Sequence, residues 1–264
     1  MIPKTIHYCW FGRNPKPKLA KKCIRSWKKY CRDYKIIEWN EDNFDLNTAP
    51  LYVRQAYEAK KWAFVTDYVR LWAMTEFGGI YMDTDVEVVK PLDQFLRHEA
   101  FSGFESELFV PTGIMACEKG FQFFRSILRY YDSAEFVYPD GTLNLITNVV
   151  LITDMCLERG LEQNGQYQVV EGLTLYPKDF FCPLINFKGK VEKTENTATI
   201  HWFAGSWLEE KERREKQKRA EMAKKYQRIE IEHTIRTLPN RIVSGILGKE
   251  RYAELKRWIK GDSK

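Results

Sequence analysis

Residues 5–10 are mostly apolar and end at Gly12 and two prolines, Pro15 and Pro17, which predicts a buried first strand running into a loop. Over residues 18–30 the apolar side chains Leu19, Cys23, Ile24 and Trp27 recur at spacings of three and four, the stripe of an amphipathic helix. Residues 34–39 then form a second strand. A β-α-β opening of this kind favours an α/β sheet with helices packed on its faces.

After Pro50 the pattern predicts helix over residues 51–77, in two pieces, stopped by the glycine pair Gly78-Gly79. Ile80-Tyr81-Met82 is short and apolar, as a buried strand is, and it delivers Asp83 and Asp85 at its carboxyl end, where open α/β sheets bind ligands. Residues 86–89 resume as strand. Downstream, residues 100–104 and 112–116 are expected to be strands, 121–131 and 142–159 helices, and 198–202 a last strand. From Leu208 the run Glu209-Glu210-Lys211-Glu212-Arg213-Arg214-Glu215-Lys216 begins a charged helix, followed beyond Pro239 by a more amphipathic end. The expected division is a catalytic domain over 1–208 and a basic helical extension over 209–264.

At 264 residues the chain can bury one full core plus an appendage, and its 44% hydrophobic and 14% aromatic content is that of a packed globular protein. No apolar run approaches the ~18 residues of a spanning helix. The amino terminus lacks the apolar stretch and small-residue cleavage site of a signal peptide, so a cytoplasmic location is expected. Six scattered cysteines without a C-x-x-C pair read as reduced filler, not as a zinc site or disulfide framework. The net charge of +6 is uneven: residues 209–264 hold 17 Lys and Arg against 10 Asp and Glu, and the body is nearly neutral. Electrostatic partners are therefore expected at the tail.

Two aspartates one residue apart at the end of a buried strand disfavour each other's ionisation. A divalent cation relieves that cost, and hard oxygen ligands suit Mg²⁺ or Mn²⁺, which commonly take further oxygens from substrate phosphates. The bland alternative is a solvated turn or helix cap; flanking apolar runs on both sides argue for a partnered pair. Upstream, Asp67 and Arg70 lie three apart and share a helix face. They are either an exposed ion pair or, among Val65, Tyr68, Val69, Leu71 and Trp72, a buried pair that holds sugar hydroxyls and phosphate. Near the end of the body, Thr199-Ile200-His201-Trp202-Phe203-Ala204-Gly205-Ser206-Trp207 sets a histidine and a hydroxyl among aromatics. Either His201 and the Ser206 hydroxyl complete a metal or diphosphate shell, with Trp207 closing over it, or His201 is a core histidine under the tryptophans.

Ile6-His7-Tyr8-Cys9-Trp10-Phe11-Gly12, Trp62-Ala63-x-x-x-Asp67-Tyr68-x-Arg70, Gly78-Gly79-Ile80-Tyr81-Met82-Asp83-Thr84-Asp85-Val86 and His201…Ser206-Trp207 together resemble glycosyltransferase family 32 over roughly residues 1–208. That group includes capsular-polysaccharide sugar transferases and the yeast initiating mannosyltransferase, and is related to the catalytic domain of the large clostridial glucosylating toxins. The resemblance implies a GT-A fold, a Rossmann-like nucleotide-sugar-binding sheet with flanking helices. It also implies a UDP-sugar donor, Mn²⁺ or Mg²⁺, and retention of anomeric configuration. By the same resemblance Trp10 stacks on uracil, Asp67 and Arg70 hold donor sugar and phosphate, and Tyr81 sits near the diphosphate. Asp83 and Asp85 serve ribose and metal. The toxins carry a glutamate near the position of His201, and their Ser and Trp are not adjacent as Ser206 and Trp207 are. Asn144, Thr147 and Asn148, on the helix expected over 142–159, are candidate contacts to donor or acceptor.

The acceptor implied is a glycan or a lipid-linked oligosaccharide, in capsular or extracellular polysaccharide synthesis. Trp258 and Leu255 beside Lys256, Arg257 and Lys260 suit a peripheral membrane helix at the inner face of the cell membrane, and equally a helical brace or dimer contact. Nucleic acid is not an expected partner, because acidic residues interleave with the basic ones and no recognition motif occurs. Two rivals stand beside the transferase: a metal-dependent phosphohydrolase, and a non-catalytic sugar-nucleotide or glycan-binding protein.

Overall fold

The computed structural model describes residues 1–111, 113–184 and 190–205. The proposed boundary near 208, the helical extension and its membrane or dimer role, Ser206 and Trp207 all lie outside the described residues.

The opening is the expected β-α-β unit. Strand β1 (Thr5–Cys9) pairs in parallel with β2 (Lys35–Trp39) on one side and with β3 (Gly79–Met82) on the other. Helix α1 (Lys18–Tyr30) crosses between β1 and β2, burying Ala20, Cys23 and Trp27. The seven-stranded sheet has the order β2-β1-β3-β6-β5-β8-β7, with β6 (Ile114–Cys117) antiparallel to both β3 and β5 (Ala100–Gly103). A two-stranded antiparallel sheet joins β4 (Val86–Val88) to β9 (Thr199–His201). Mixed strand directions with helices on both faces give a layered α/β architecture.

Both faces of the sheet are covered, so its central strands are apolar throughout instead of alternating. Helices α2 (Leu51–Glu58), α3 (Trp62–Phe77), α4 (Gln122–Ser133) and α5 (Asn148–Leu157) pack one core with Cys9, Tyr81, Met115 and Cys117. The opposite core takes the alternate residues of the same strands, Ile6, Tyr8, Ile80, Met82 and Ile114, against Cys23 and Trp27 of α1. The pleat therefore turns Tyr81 toward α3, the helix that carries Asp67 and Arg70.

The Gly78-Gly79 stop works twice. Gly78 closes α3 at φ 65°, and its N–H donates to the Met74 carbonyl at 2.8 Å. At Gly79 a Cβ would fall 2.6 Å from the Thr5 carbonyl oxygen, so β3 can lie against β1 only without a side chain there. His7 locks this corner: its Nδ1 accepts from Trp39 Nε1 at 3.1 Å, and its Nε2 lies 2.9 Å from the Gly78 carbonyl, which fixes the proton on Nε2. Burial holds the imidazole below its ordinary pKa, so His7 is a neutral brace.

Two expectations need correction. The helix placed over 142–159 begins only at Asn148. In the six residues before it, Thr142 is held by Asp140, Leu143 bridges to Val137, and the Asn144 side chain takes up the Ile146 N–H. Asn and Thr side chains that bond nearby backbone compete with helix in this way. The second is an omission: Gln168–Val170 (β7) and Leu173–Tyr176 (β8) form a hairpin on the far side of the sheet. Its turn, Glu171-Gly172, has φ of 50° and 81°, the positive values of a type I′ turn. The signal was a two-residue X-Gly between alternating apolar residues. A short helix, α6 (Lys178–Phe181), follows Pro177. All six cysteines are free and buried, as expected. No helix among the described residues is long and apolar enough to cross a membrane.

Candidate active site

Because β1 and β3 are parallel neighbours in register (Ile6 beside Ile80, His7 beside Tyr81), Trp10 and the Asp83-Thr84-Asp85 triplet leave the sheet at the same edge. Trp10 is half-buried there; its Nε1 donates to the Asn14 carbonyl at 2.6 Å, and the Lys16 ammonium lies 5.6 Å from its ring. An indole fixed in this way offers a flat face for a ring to stack on.

The second group centres on Arg70. It is a largely buried guanidinium, its side chain 12% exposed, 3.1 Å from Asp67 Oδ1 and 3.3 Å from Asp83 Oδ1, with Cζ 4.7 Å from the centre of the Tyr81 ring. Tyr81 donates its hydroxyl to the same Asp83 oxygen at 3.0 Å. Asp67, only 6% exposed, accepts at its other oxygen from the Asn148 N–H, and its carbonyl accepts from Asn148 Nδ2 at 2.7 Å. Tyr131 completes the chain by donating to Asn148 Oδ1 at 2.7 Å. The exposed-pair reading of Asp67 and Arg70 is thus set aside. Burial raises the Asp67 pKa, and the Arg70 charge and the Asn148 N–H work against that rise. Burial likewise pushes the Tyr81 phenol well up, so it remains a donor.

The third group forms where β4 pairs with β9, setting Val86 opposite His201. Ligand atoms of Asp83, Asp85 and His201 lie within 4.8 Å of one another, with His201 Nε2 3.4 Å from Asp85 Oδ1. The chain after β9 folds back onto this group. Trp202 N–H donates to the Asp85 carbonyl at 3.1 Å and Ala204 N–H to Asp85 Oδ2 at 2.7 Å. Phe203, at φ 49°, stacks on the His201 ring with centroids 4.0 Å apart. The segment is fastened from outside by Glu87, whose Oε2 accepts from Trp202 Nε1 at 3.0 Å and from Lys22 at 2.7 Å.

Burial opposes charge on both Asp85 and His201. The bond between them reverses that, and Cys182 and Asp83 add to it: Asp85 is held below the usual carboxylate range and His201 is pushed up to about 10. A proton on His201 thus supplies the positive charge that two carboxylates in a confined corner require. Two carboxylates and an imidazole are also a donor set that suits a divalent cation, the imidazole favouring Mn²⁺ over Mg²⁺.

Gly113 was not foreseen. Its carbonyl accepts from the Asp83 N–H at 2.8 Å, and a Cβ on it would meet Val86 Cγ2 at 2.8 Å, His201 Cε1 at 3.1 Å and Asp83 Oδ2 at 3.2 Å. Gly113→Ala is expected to lower divalent-ion affinity by about 10- to 100-fold through displacement of two of the three candidate ligands. Titration calorimetry with Mn²⁺ checks this, and wild-type affinity would refute it. Nothing in the local sequence marks this glycine, because what crowds it comes from β4 and β9.

Of the other candidates, Asn144 stands apart from these groups. Its amide is taken up by the Tyr130 hydroxyl, the Glu135 carbonyl and the Ile146 N–H, which makes it a loop brace. Thr147 is the extended residue that precedes α5.

Residues 17–102 match the sequence family described as the glycosyltransferase sugar-binding region containing DXD motif. Inositol phosphoceramide mannosyltransferase 3 of Schizosaccharomyces pombe is 27% identical over 141 residues, 52% of this chain and 39% of that protein. The chain therefore aligns with well under half the length of that relative. Among solved structures, the PaToxG glycosyltransferase is 20% identical, with 60% of this chain and 69% of that one covered and a TM-score of 0.46. A glycosyltransferase involved in glycosylation of the major capsid of PBCV-1 is 14% identical over 80% and 97% of the two chains, with a TM-score of 0.43. The family match covers about a third of the chain and spans Asp67, Arg70, Tyr81, Asp83 and Asp85, the residues that the fold gathers at one sheet edge.

Proposed function

We propose that the enzyme moves a hexose or N-acetylhexosamine from a UDP-sugar to a glycan or lipid-linked oligosaccharide acceptor, with a divalent cation, Mn²⁺ or Mg²⁺, held by Asp83, Asp85 and His201. The observation that carries this reading is the approach of those three ligand atoms to within 4.8 Å beside an Arg70 that already bridges Asp67 and Asp83. When bound, such a cation offsets the charge of the donor's diphosphate oxygens. Trp10 stacks on the base, and Arg70 with Tyr81 addresses the diphosphate. In transfer with retention the acceptor oxygen attacks C1 on the face from which the diphosphate leaves. Its proton passes to the leaving phosphate oxygen, so no dedicated base is needed. Polysaccharide assembly at the inner membrane face is the setting this chemistry fits.

The test is hydrolysis of UDP-glucose, UDP-galactose and their N-acetyl forms with Mn²⁺, with GDP-mannose included because the fission-yeast relative is named a mannosyltransferase. Metal-dependent release of UDP supports the reading. Phosphate release from phosphomonoesters favours a phosphohydrolase, and binding without turnover favours a non-catalytic sugar-nucleotide protein. Trp10→Ala is expected to raise KM for the nucleotide sugar about tenfold or more, since base–aromatic stacking is worth ~1–3 kcal/mol. An unchanged KM would remove the indole from the base site.

A further inference from the structure

We propose that the solvent face of α1 docks the catalytic body onto an anionic lipid surface. Between Arg13 and Arg32 the chain carries only basic charge, and the first acid after them is Asp33. On α1 the basic positions Lys18, Lys21, Lys22, Arg25, Lys28 and Lys29 are all exposed. At about 100° per residue they fall within an arc of roughly 120°, along a row about 17 Å long. The opposite face is the buried one, with Ala20, Cys23 and Trp27.

These cations are largely uncommitted. Lys22 is tied to Glu87, but Lys18, Lys21, Arg25, Lys28 and Lys29 have no ion pair among the described residues. The body as a whole is close to neutral, so this row is a local concentration of one sign. A flat row of like charges on a folded surface raises the local concentration of an opposite, extended charge.

Three features select a lipid surface among polyanions. The row presents no exposed aromatic ring for bases to stack on, because Trp27 is fully buried and Tyr30 half-buried on the far side. Its cations are mostly lysines, hydrated point charges that suit a diffuse headgroup field better than the bidentate recognition of single phosphates. Lastly, the row lies beside the reaction edge: its member Lys22 binds Glu87, two residues beyond Asp85, and lies 5.0 Å from the Trp202 ring. Docking through α1 therefore brings the Asp83–Asp85–His201 corner close to the headgroups, whatever sugar is transferred.

The full chain is sedimented with vesicles of equimolar phosphatidylcholine and phosphatidylglycerol, and with phosphatidylcholine alone. Binding confined to the acidic vesicles is expected. A variant carrying Lys21→Glu, Arg25→Glu and Lys28→Glu should partition at least about tenfold less, with melting temperature and nucleotide-sugar hydrolysis unchanged. The same three positions changed to glutamine give a smaller loss and serve if the charge reversal fails to fold. No wild-type binding to acidic vesicles overturns the proposal. So does wild-type partitioning of both variants, which assigns vesicle binding to residues beyond 205. Binding of poly(U) or an acidic polysaccharide through these three positions, with vesicle binding intact in the variants, also overturns it.

Discussion

Asp85→Asn is expected to cut divalent-metal-supported hydrolysis of the donor sugar by about a thousandfold, with the fold intact. Asp85 is the carboxylate on which the corner converges: His201 Nε2 lies 3.4 Å from one oxygen, and the other accepts the Ala204 N–H at 2.7 Å. Asparagine keeps an oxygen for Ala204 but loses the charge that would hold a cation. Charge stabilisation of a leaving phosphate by a bound cation supplies several kcal/mol, and each ~1.4 kcal/mol is tenfold in rate. The readouts are UDP release and the rise in melting temperature on addition of Mn²⁺; both should fall together. Hydrolysis that persists at the wild-type rate would show that Asp85 does not serve the metal.

Arg70→Met should have the largest effect on stability. It leaves Asp67, 6% exposed, with the Asn148 N–H as its remaining side-chain partner, and it also withdraws the guanidinium from Asp83. Breaking a buried pair costs about 3–5 kcal/mol, which for a body of this size lowers the melting temperature by roughly 10 °C. Combining it with Asp67→Asn should restore most of that loss, because the amide still accepts from Asn148 and carries no charge to strand. Activity should stay low in the double variant, since the contact to the diphosphate proposed for Arg70 is lost. A single variant that melts with the wild type would mean that the pair contributes little to stability.

The sequence made some of this plain and hid the rest for identifiable reasons. The β1-α1-β2 opening was legible because the apolar period of α1 agrees with its buried face, and the two-piece helix over 51–77 because it is rich in helix-forming residues and stops at Gly78-Gly79. The helix start at Asn148 was not, because the Asn144 side chain competes for backbone that composition alone assigns to helix. The basic row on α1 was in plain sight but vanished in the bulk count, where acids elsewhere in the body cancel it. Only the helical spacing gathers it onto one face. Gly113 and Glu87 carry no local mark, and their importance comes from segments about 115 residues apart in the chain that meet at β4 and β9.

The sequence by itself determined that two carboxylates stand at the end of a buried strand behind a glycine pair, since short-range burial and backbone sterics dictate that much. Only the tertiary structure decided that Arg70 and His201 reach them and that Asn148 holds Asp67 beside Arg70. Parallel pairing of β1 with β3 and antiparallel pairing of β4 with β9 are long-range contacts, and the ångström-scale distances that make a ligand set depend on register that no local pattern contains.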